Sequence, residues 1–265
     1  FTHLLAYGLI CILAYTLPRL PAWRLIALEA VALNPWQIFS LAYGTSDTFA
    51  LALVVLAVWL ISRGRPVAAA VAVALASASK QTVWPAVPFL VGYWYCHLRG
   101  ASQPVPRAVR TCLRQWWPLP VVFSAVVVPF LLWDAPAYLD DTYRYPMGLL
   151  PSSYPISGYG LSPLLQSFGL PPSPRAYFPY GLLQLLIAGP LLVVLMRWLS
   201  RGPSLARACA SAGVFLLTSL WAARFFSENY LTLVVALLAV GYVLSQENPK
   251  PQDQILKQIQ SPKFQ

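Results

Sequence analysis

The stretch ALNPWQIFSLAYGTSDTFALALVVLAVWLISRGRPVAAAVAVALASASKQTVWPAVPFL, residues 32–90, decides the fold. It holds the end of one apolar run (23–42), two complete runs (46–62 and 66–80) and the start of another (83–98). Only short turns separate them: Gly44-Thr45-Ser46-Asp47, Arg63-Gly64-Arg65 and Lys80-Gln81. Apolar runs of this length with so few charges are read as helices that lie in lipid or in a helical core. The pattern continues outward, with further runs at 1–17, 116–133, 180–197, 207–223 and 230–245, nine in all. Several span only 15 to 17 residues, which is short for a hydrocarbon core of about 30 Å. The pair 66–80 and 83–98 therefore has an alternative as one re-entrant hairpin.

Composition agrees. Of the 265 residues, 58% are hydrophobic and 10% charged, and the mean hydropathy is +0.61. Soluble domains carry about a quarter charged residues, so this chain has too little charge for a water-facing surface. The fold expected is all-α, a polytopic transmembrane helical bundle over 1–245 with a polar, disordered cytoplasmic tail at 246–265. A net charge of +10 invites a nucleic-acid reading, but no basic face on a soluble fold is present. Charge placement explains it instead. With the loops after the first, third, fifth and seventh runs and the tail on the cytoplasmic side, 14 of 18 basic residues fall there: Arg19, Arg24, Arg63, Arg65, Arg99, Arg107, Arg110, Arg114, Arg197, Arg201, Arg207, Lys250, Lys257 and Lys263. That is the positive-inside rule. Arg107, Arg110 and Arg114 share one helical face beside Trp116 and Trp117, as in a helix lying on anionic lipid; a solvated loop is the alternative.

The same assignment makes 134–178 a long extracytoplasmic loop, beginning DAPAYLDDTYRYPMGLLPSSYPISGYG. Its aromatic and proline content favours an ordered lid over a linker. Phe1 also falls outside, already within an apolar run, so at least one earlier span is expected ahead of it. Cys11, Cys96, Cys112 and Cys209 make no metal-ligand spacing and no disulfide framework.

Four ionisable groups at span ends carry the chemistry: Asp47, Lys80, Arg224 and Glu228. Charges at the membrane edge are costly and tend to be functional. Each has a plainer alternative. Asp47 and Glu228 suit the first turn of a helix, Arg224 the end of one, and Lys80 can snorkel to the interface. Together, two cations and two carboxylates from three span junctions suit a lipid-linked phosphate, with a carboxylate to orient a sugar or accept a proton. Asp140-Asp141 reads as a solvated acidic pair rather than a metal site, and no metal or cofactor is expected. No GxSxG, HExxH, Walker A or GxGxxG motif is present.

Residues 32–90 resemble the polytopic GT-C glycosyltransferases, in particular the family 87 polyprenyl-phosphate-mannose-dependent mannosyltransferase-like proteins. The resemblance rests on Asn34-Pro35, Gly44 with Asp47, Arg63-Gly64-Arg65, Lys80-Gln81 and Pro85/Pro88, with RFFSENY (224–230) similar to the last extracytoplasmic turn. It implies transfer of a sugar, mannose or another hexose, from a polyprenyl-phosphate carrier to an extracytoplasmic glycan or glycolipid acceptor. It adds Gln81 and Asn229 to Asp47, Lys80, Arg224 and Glu228 as substrate-binding candidates. It also implies an essential acid in a first outer loop, so the general base is expected ahead of Phe1, with Asp47 a pocket residue. A lipid or sugar transporter and a non-catalytic membrane assembly protein remain as alternatives. A substrate flux assay in proteoliposomes discriminates the transporter, and spatial convergence of Asp47, Lys80, Arg224 and Glu228 separates the assembly protein.

Overall fold

The computed structural model describes residues 1–101 and 103–247. Its helices are α1 (Thr2–Thr16), α2 (Pro21–Ala32), α3 (Pro35–Ala42), α4 (Asp47–Ser62), α5 (Pro66–Ser79), α6 (Val87–Gly100), α7 (Val105–Trp116), α8 (Pro118–Leu139), α9 (Tyr145–Met147), α10 (Leu161–Ser167), α11 (Tyr180–Arg201), α12 (Leu205–Trp221) and α13 (Leu231–Gln246). The protein is an all-α polytopic membrane bundle, and each apolar run of the sequence falls on helix among the described residues. Three helical runs are long and apolar enough to cross a membrane: Val105–Met147, Tyr180–Arg201 and Glu228–Gln246. α2 and α3, bent by 48°, make a fourth together, and α1, α4, α5 and α12 are shorter apolar helices.

The bend has a local cause. Pro35 has no N–H to donate, so the ladder breaks there. Asn34 repairs the break with its side chain: Oδ1 accepts from the Gln37 N–H at 3.0 Å and Nδ2 donates to the Val31 carbonyl at 2.8 Å. Polar backbone at membrane depth survives only when satisfied in this way.

Burial divides the helices into two groups. α4 and α5 are buried along most of their lengths, and with α1, α12 and α13 they form the core. α8 and α11 are the reverse, displaying Phe130, Leu132, Trp133, Leu185 and Leu186 on the outside. So much exposed apolar surface on long helices is a surface for lipid. α5, at 14 residues, is only about 21 Å long. It packs mainly against α4 and α8, whereas α6 packs against α12 and α11. The two are therefore not a hairpin closed on itself.

Successive helices run between two faces. The Asp47 and Lys80 ends of α4 and α5 lie on one, the loop face. Arg63, Arg65, Arg99 and α7 lie on the other. α7 is helix, not loop: Arg107, Arg110 and Arg114 are exposed, while Ala108, Cys112 and Trp116 are buried against the bundle.

The long connection differs from expectation at its start. Helix continues past 134 because Asp134, itself non-helical (φ −151°, ψ 86°), caps a new turn by accepting from the Ala137 N–H at 3.0 Å. A π-helical turn at Asp140–Arg144 and α9 follow. The irregular part starts at Gly148 and contains α10 and a two-residue strand, β1 (Ser157–Gly158). β1 pairs in parallel with β2 (Phe225–Phe226). Of the polar tail, Gln246 ends α13 and Glu247 accepts from the Leu20 N–H at 2.9 Å; the rest lies outside the described residues.

α12 and α13 approach most closely at Gly241, where an added Cβ would lie 2.9 Å from the Ala210 nitrogen and 3.0 Å from the Ala206 oxygen. Backbone cannot yield as a side chain can. Gly241→Val is expected to lower stability by about 1–3 kcal/mol, the usual cost of overpacking, read as an earlier thermal transition in detergent.

Candidate active site

α3 ends at a turn closed by Gly44, whose φ of +63° favours glycine, and α4 begins at Asp47. The Ser46 side chain makes no capping bond. Asp47 is buried in the first turn, where the helix dipole favours a carboxylate. Its Oδ2 has two further partners. The Lys80 ammonium lies 2.5 Å away and Asn229 Nδ2 donates to it at 2.8 Å. Ser227 Oγ in turn donates to Asn229 Oδ1 at 2.6 Å.

Lys80 reaches Asp47 because α5 stops at Ser79. Lys80 itself is extended (φ −156°, ψ 128°), and the chain tightens into a 3₁₀ turn at Gln81–Ala86. Its side chain retains 16% exposure and stands 5.2 Å from the Tyr230 ring centroid, a cation–π distance. The lysine is thus held by protein on one side and open on the other. The open side is a cavity of about 460 Å³, walled by Lys80, Gln81, Trp84, Tyr138, Asp141, Thr142, Phe225 and Tyr230 among others. Gln81 Nε2 spans it, donating to the Thr142 carbonyl at 2.6 Å. A second, larger and more apolar cavity of about 890 Å³ adjoins it between α6, α8, α11 and α12. Both are lined by Gln81, Trp84, Phe123, Val127, Tyr138 and Thr142.

Asp47, Lys80, Gln81 and Asn229 therefore converge from three chain segments, the outermost of which, at Asp47 and Asn229, are 182 residues apart in sequence. Arg224 does not join them. It is 2% exposed and its guanidinium is spent on the long connection: Nε donates to the Tyr154 carbonyl at 3.2 Å, Nη1 to Ala176 at 3.0 Å and Nη2 to Pro174 at 3.1 Å. Burial pushes its pKa below the ordinary value, with the nearby Tyr180 phenol acting in the opposite sense. Gly148 (φ +78°) permits this packing, because a Cβ there would collide with the guanidinium. The expected phosphate contact for Arg224 is replaced by three carbonyls because they, not solvent, surround the group. Glu228 opens a 3₁₀ turn and makes no side-chain hydrogen bond or ion pair among the described residues; it does not line the Lys80 cavity.

The structure adds Tyr230, Trp84 and Asp141 to the site. Tyr230 was detectable as the residue after Asn229 in RFFSENY; the other two depend on chain folding alone. Asp140, by contrast, pairs with Arg144 at 2.7 Å.

A family model described as glycosyltransferase family 87 matches residues 1–222. The chain belongs to glycosyltransferase family 87. No curated protein and no solved structure matches the chain. The family 87 match includes Asp47, Lys80, Gln81 and Asp141 and stops just short of Arg224, Glu228 and Asn229.

Three carbonyls arranged around a planar fork select arginine over lysine. Arg224→Lys is expected to leave two of them unpaired, at about 1–3 kcal/mol each. Limited proteolysis should then cut faster between 149 and 178, while cleavage elsewhere is unchanged.

Proposed function

We propose that this family 87 glycosyltransferase takes its sugar from a polyprenyl-phosphate carrier, with the carrier phosphate at Lys80. One observation carries the reading: a cavity lined by the charged groups Lys80 and Asp141 shares six lining residues with a larger, more apolar cavity that no charged residue lines. A lipid-linked sugar phosphate has the same division, with a polar head and a long hydrocarbon tail. The head occupies the smaller cavity and the isoprenoid chain follows the larger between α8 and α11.

The chemistry is displacement at the sugar's anomeric carbon. An acceptor hydroxyl attacks, the bond to the phosphate oxygen breaks, and the phosphate leaves with the electron pair. Negative charge grows on the departing oxygen, so a cation fixed beforehand stabilises the transition state more than the ground state. Asp47 and Asn229 fix that cation. The acceptor is a glycan or glycolipid, whose attacking hydroxyl gives up its proton to a general base. The basic residues on the face opposite the site support an extracytoplasmic active face and a cytoplasmic C-terminus. Mannose or another hexose is the sugar, and no metal is needed for the phosphate when lysine neutralises it.

Lys80→Ala in the full protein should reduce transfer from a polyprenyl-phosphate hexose at least 100-fold. It also leaves Asp47 as a lone buried carboxylate, which is destabilising in itself. The double change Asp47→Asn with Lys80→Gln removes both charges together and keeps their hydrogen-bonding capacity. Transfer at the wild-type rate by that folded variant would rule out the phosphate role.

A further inference from the structure

The cavity beside Lys80 contains a second charged group. Asp141 lies on the π-helical turn Asp140–Arg144, a form of helix that recurs at functional sites. Within that turn the two acids part company. Asp140 pairs with Arg144 at 2.7 Å and lies outside the cavity lining, whereas Asp141 lines the cavity and makes no side-chain hydrogen bond or ion pair among the described residues. Thr142 of the same turn and Tyr138 near the end of α8 line the same space, and Trp84, Phe225 and Tyr230 supply aromatic surface there.

An ionised carboxylate only accepts hydrogen bonds. It repels a phosphate and attracts groups that donate, above all hydroxyls. A cavity with an ammonium in one wall and an unpaired carboxylate in another is therefore directional. Resting on the reading of the site given above, we propose that Asp141 binds the hydroxyl groups of the donor sugar, with the phosphate turned to Lys80. Asp141 sets the orientation of the sugar and selects for a carrier that bears one. It is a specificity residue, distinct from the base that takes the acceptor's proton.

The test is binding rather than turnover. The full-length protein in detergent is titrated with polyprenyl-phosphate mannose, polyprenyl-phosphate glucose and sugar-free polyprenyl phosphate, followed by tryptophan fluorescence. Hydrogen bonds to a charged group correspond to a factor of about 10–100 in affinity. Asp141→Asn and Asp141→Ala are expected to weaken a sugar-bearing carrier by that factor and to leave the sugar-free carrier within about 2-fold. Asp140→Asn should change neither. Lys80→Gln with Asp47→Asn should weaken all the carriers alike. Unchanged binding of the sugar-bearing carriers to the Asp141 variants overturns the proposal, as does equal weakening with and without sugar. Failure of the wild-type protein to bind any carrier, or indifference of every carrier to the Lys80 change, instead overturns the underlying reading of the site and the proposal with it.

Discussion

An ammonium group among apolar helices must be met by a carboxylate, and Lys80 is met by Asp47. Three segments are placed by that requirement: the start of α4, the end of α5 and the turn before α13 that brings Asn229. Such a pair is a poor source of stability. Desolvating both ions costs several kcal/mol each, and apolar residues of the same volume often serve a fold equally well or better. What the pair supplies is a positive charge at a fixed point, one side satisfied and the other open to a cavity. That arrangement matches the needs of transition-state stabilisation, where the charge must be in position before the reaction begins.

Asp141, Thr142 and Pro146, at the start of the long connection, bound the open side, and the later part of the connection is tied to the lysine through a continuous series of contacts. Arg224 holds Tyr154 by its carbonyl. The Tyr154 ring stacks on Phe225 at 5.6 Å, Phe225 lies 6.0 Å from Tyr230, and Tyr230 faces the Lys80 ammonium. On its outer side Tyr154 meets Tyr145 of α9 edge-on. The parallel pairing of β1 with β2 fastens the same region a second time. Arg224 thus acts on the site through position, by fixing the aromatic residues that flank the lysine. Its own charge is neutralised by carbonyl dipoles before it can reach a substrate.

The bundle was legible in the sequence because lipid leaves few choices: apolar runs of sufficient length, ended by Gly, Pro and Arg, have no other stable form. The convergence of Asp47 with Lys80 was legible for a related reason, since two opposite charges at adjacent span ends on one face must find each other. Arg224 was misjudged because a charge at a span end looks the same in sequence whether it faces a cavity or a wrapped loop. Nothing in RFFSENY encodes the carbonyls of Tyr154, Pro174 and Ala176, which arrive from some 50 to 70 residues away. Asp134 shows the local version of this limit. A helix that breaks and restarts on its own side-chain cap is indistinguishable in composition from a loop with Pro and Asp in it. Asp140 and Asp141 differ only in which one the π turn directs to Arg144.

The separation of a buried core from lipid-facing helices bears on how a lipid substrate would enter. α4, α5, α12 and α13 supply much of the buried core, whereas α8, although it packs on α5, and α11 leave most of their surfaces exposed. The larger cavity is walled by Phe123, Val127 and Leu131 of α8 and by a face of α11 that presents Gly181, Gln184, Ala188 and Gly189. Gly181, Gln184 and Ala188 recur at intervals of three and four, as do Leu185, Gly189 and Leu192 in reverse order, so the lining is one face of α11 in which glycine and alanine alternate with larger side chains. Small residues at a helix–helix seam usually let backbones come into contact. Here the seam remains open as a cavity beside exposed apolar surface, and through Gln81, Trp84 and Thr142 it adjoins the smaller cavity that Lys80 lines. A carrier lipid in the bilayer would therefore reach the lysine sideways, from within the membrane, without its tail crossing water. On the proposed reading, an acceptor hydroxyl arriving from the loop face would meet the anomeric carbon by a different route from the carrier, as displacement at that carbon requires.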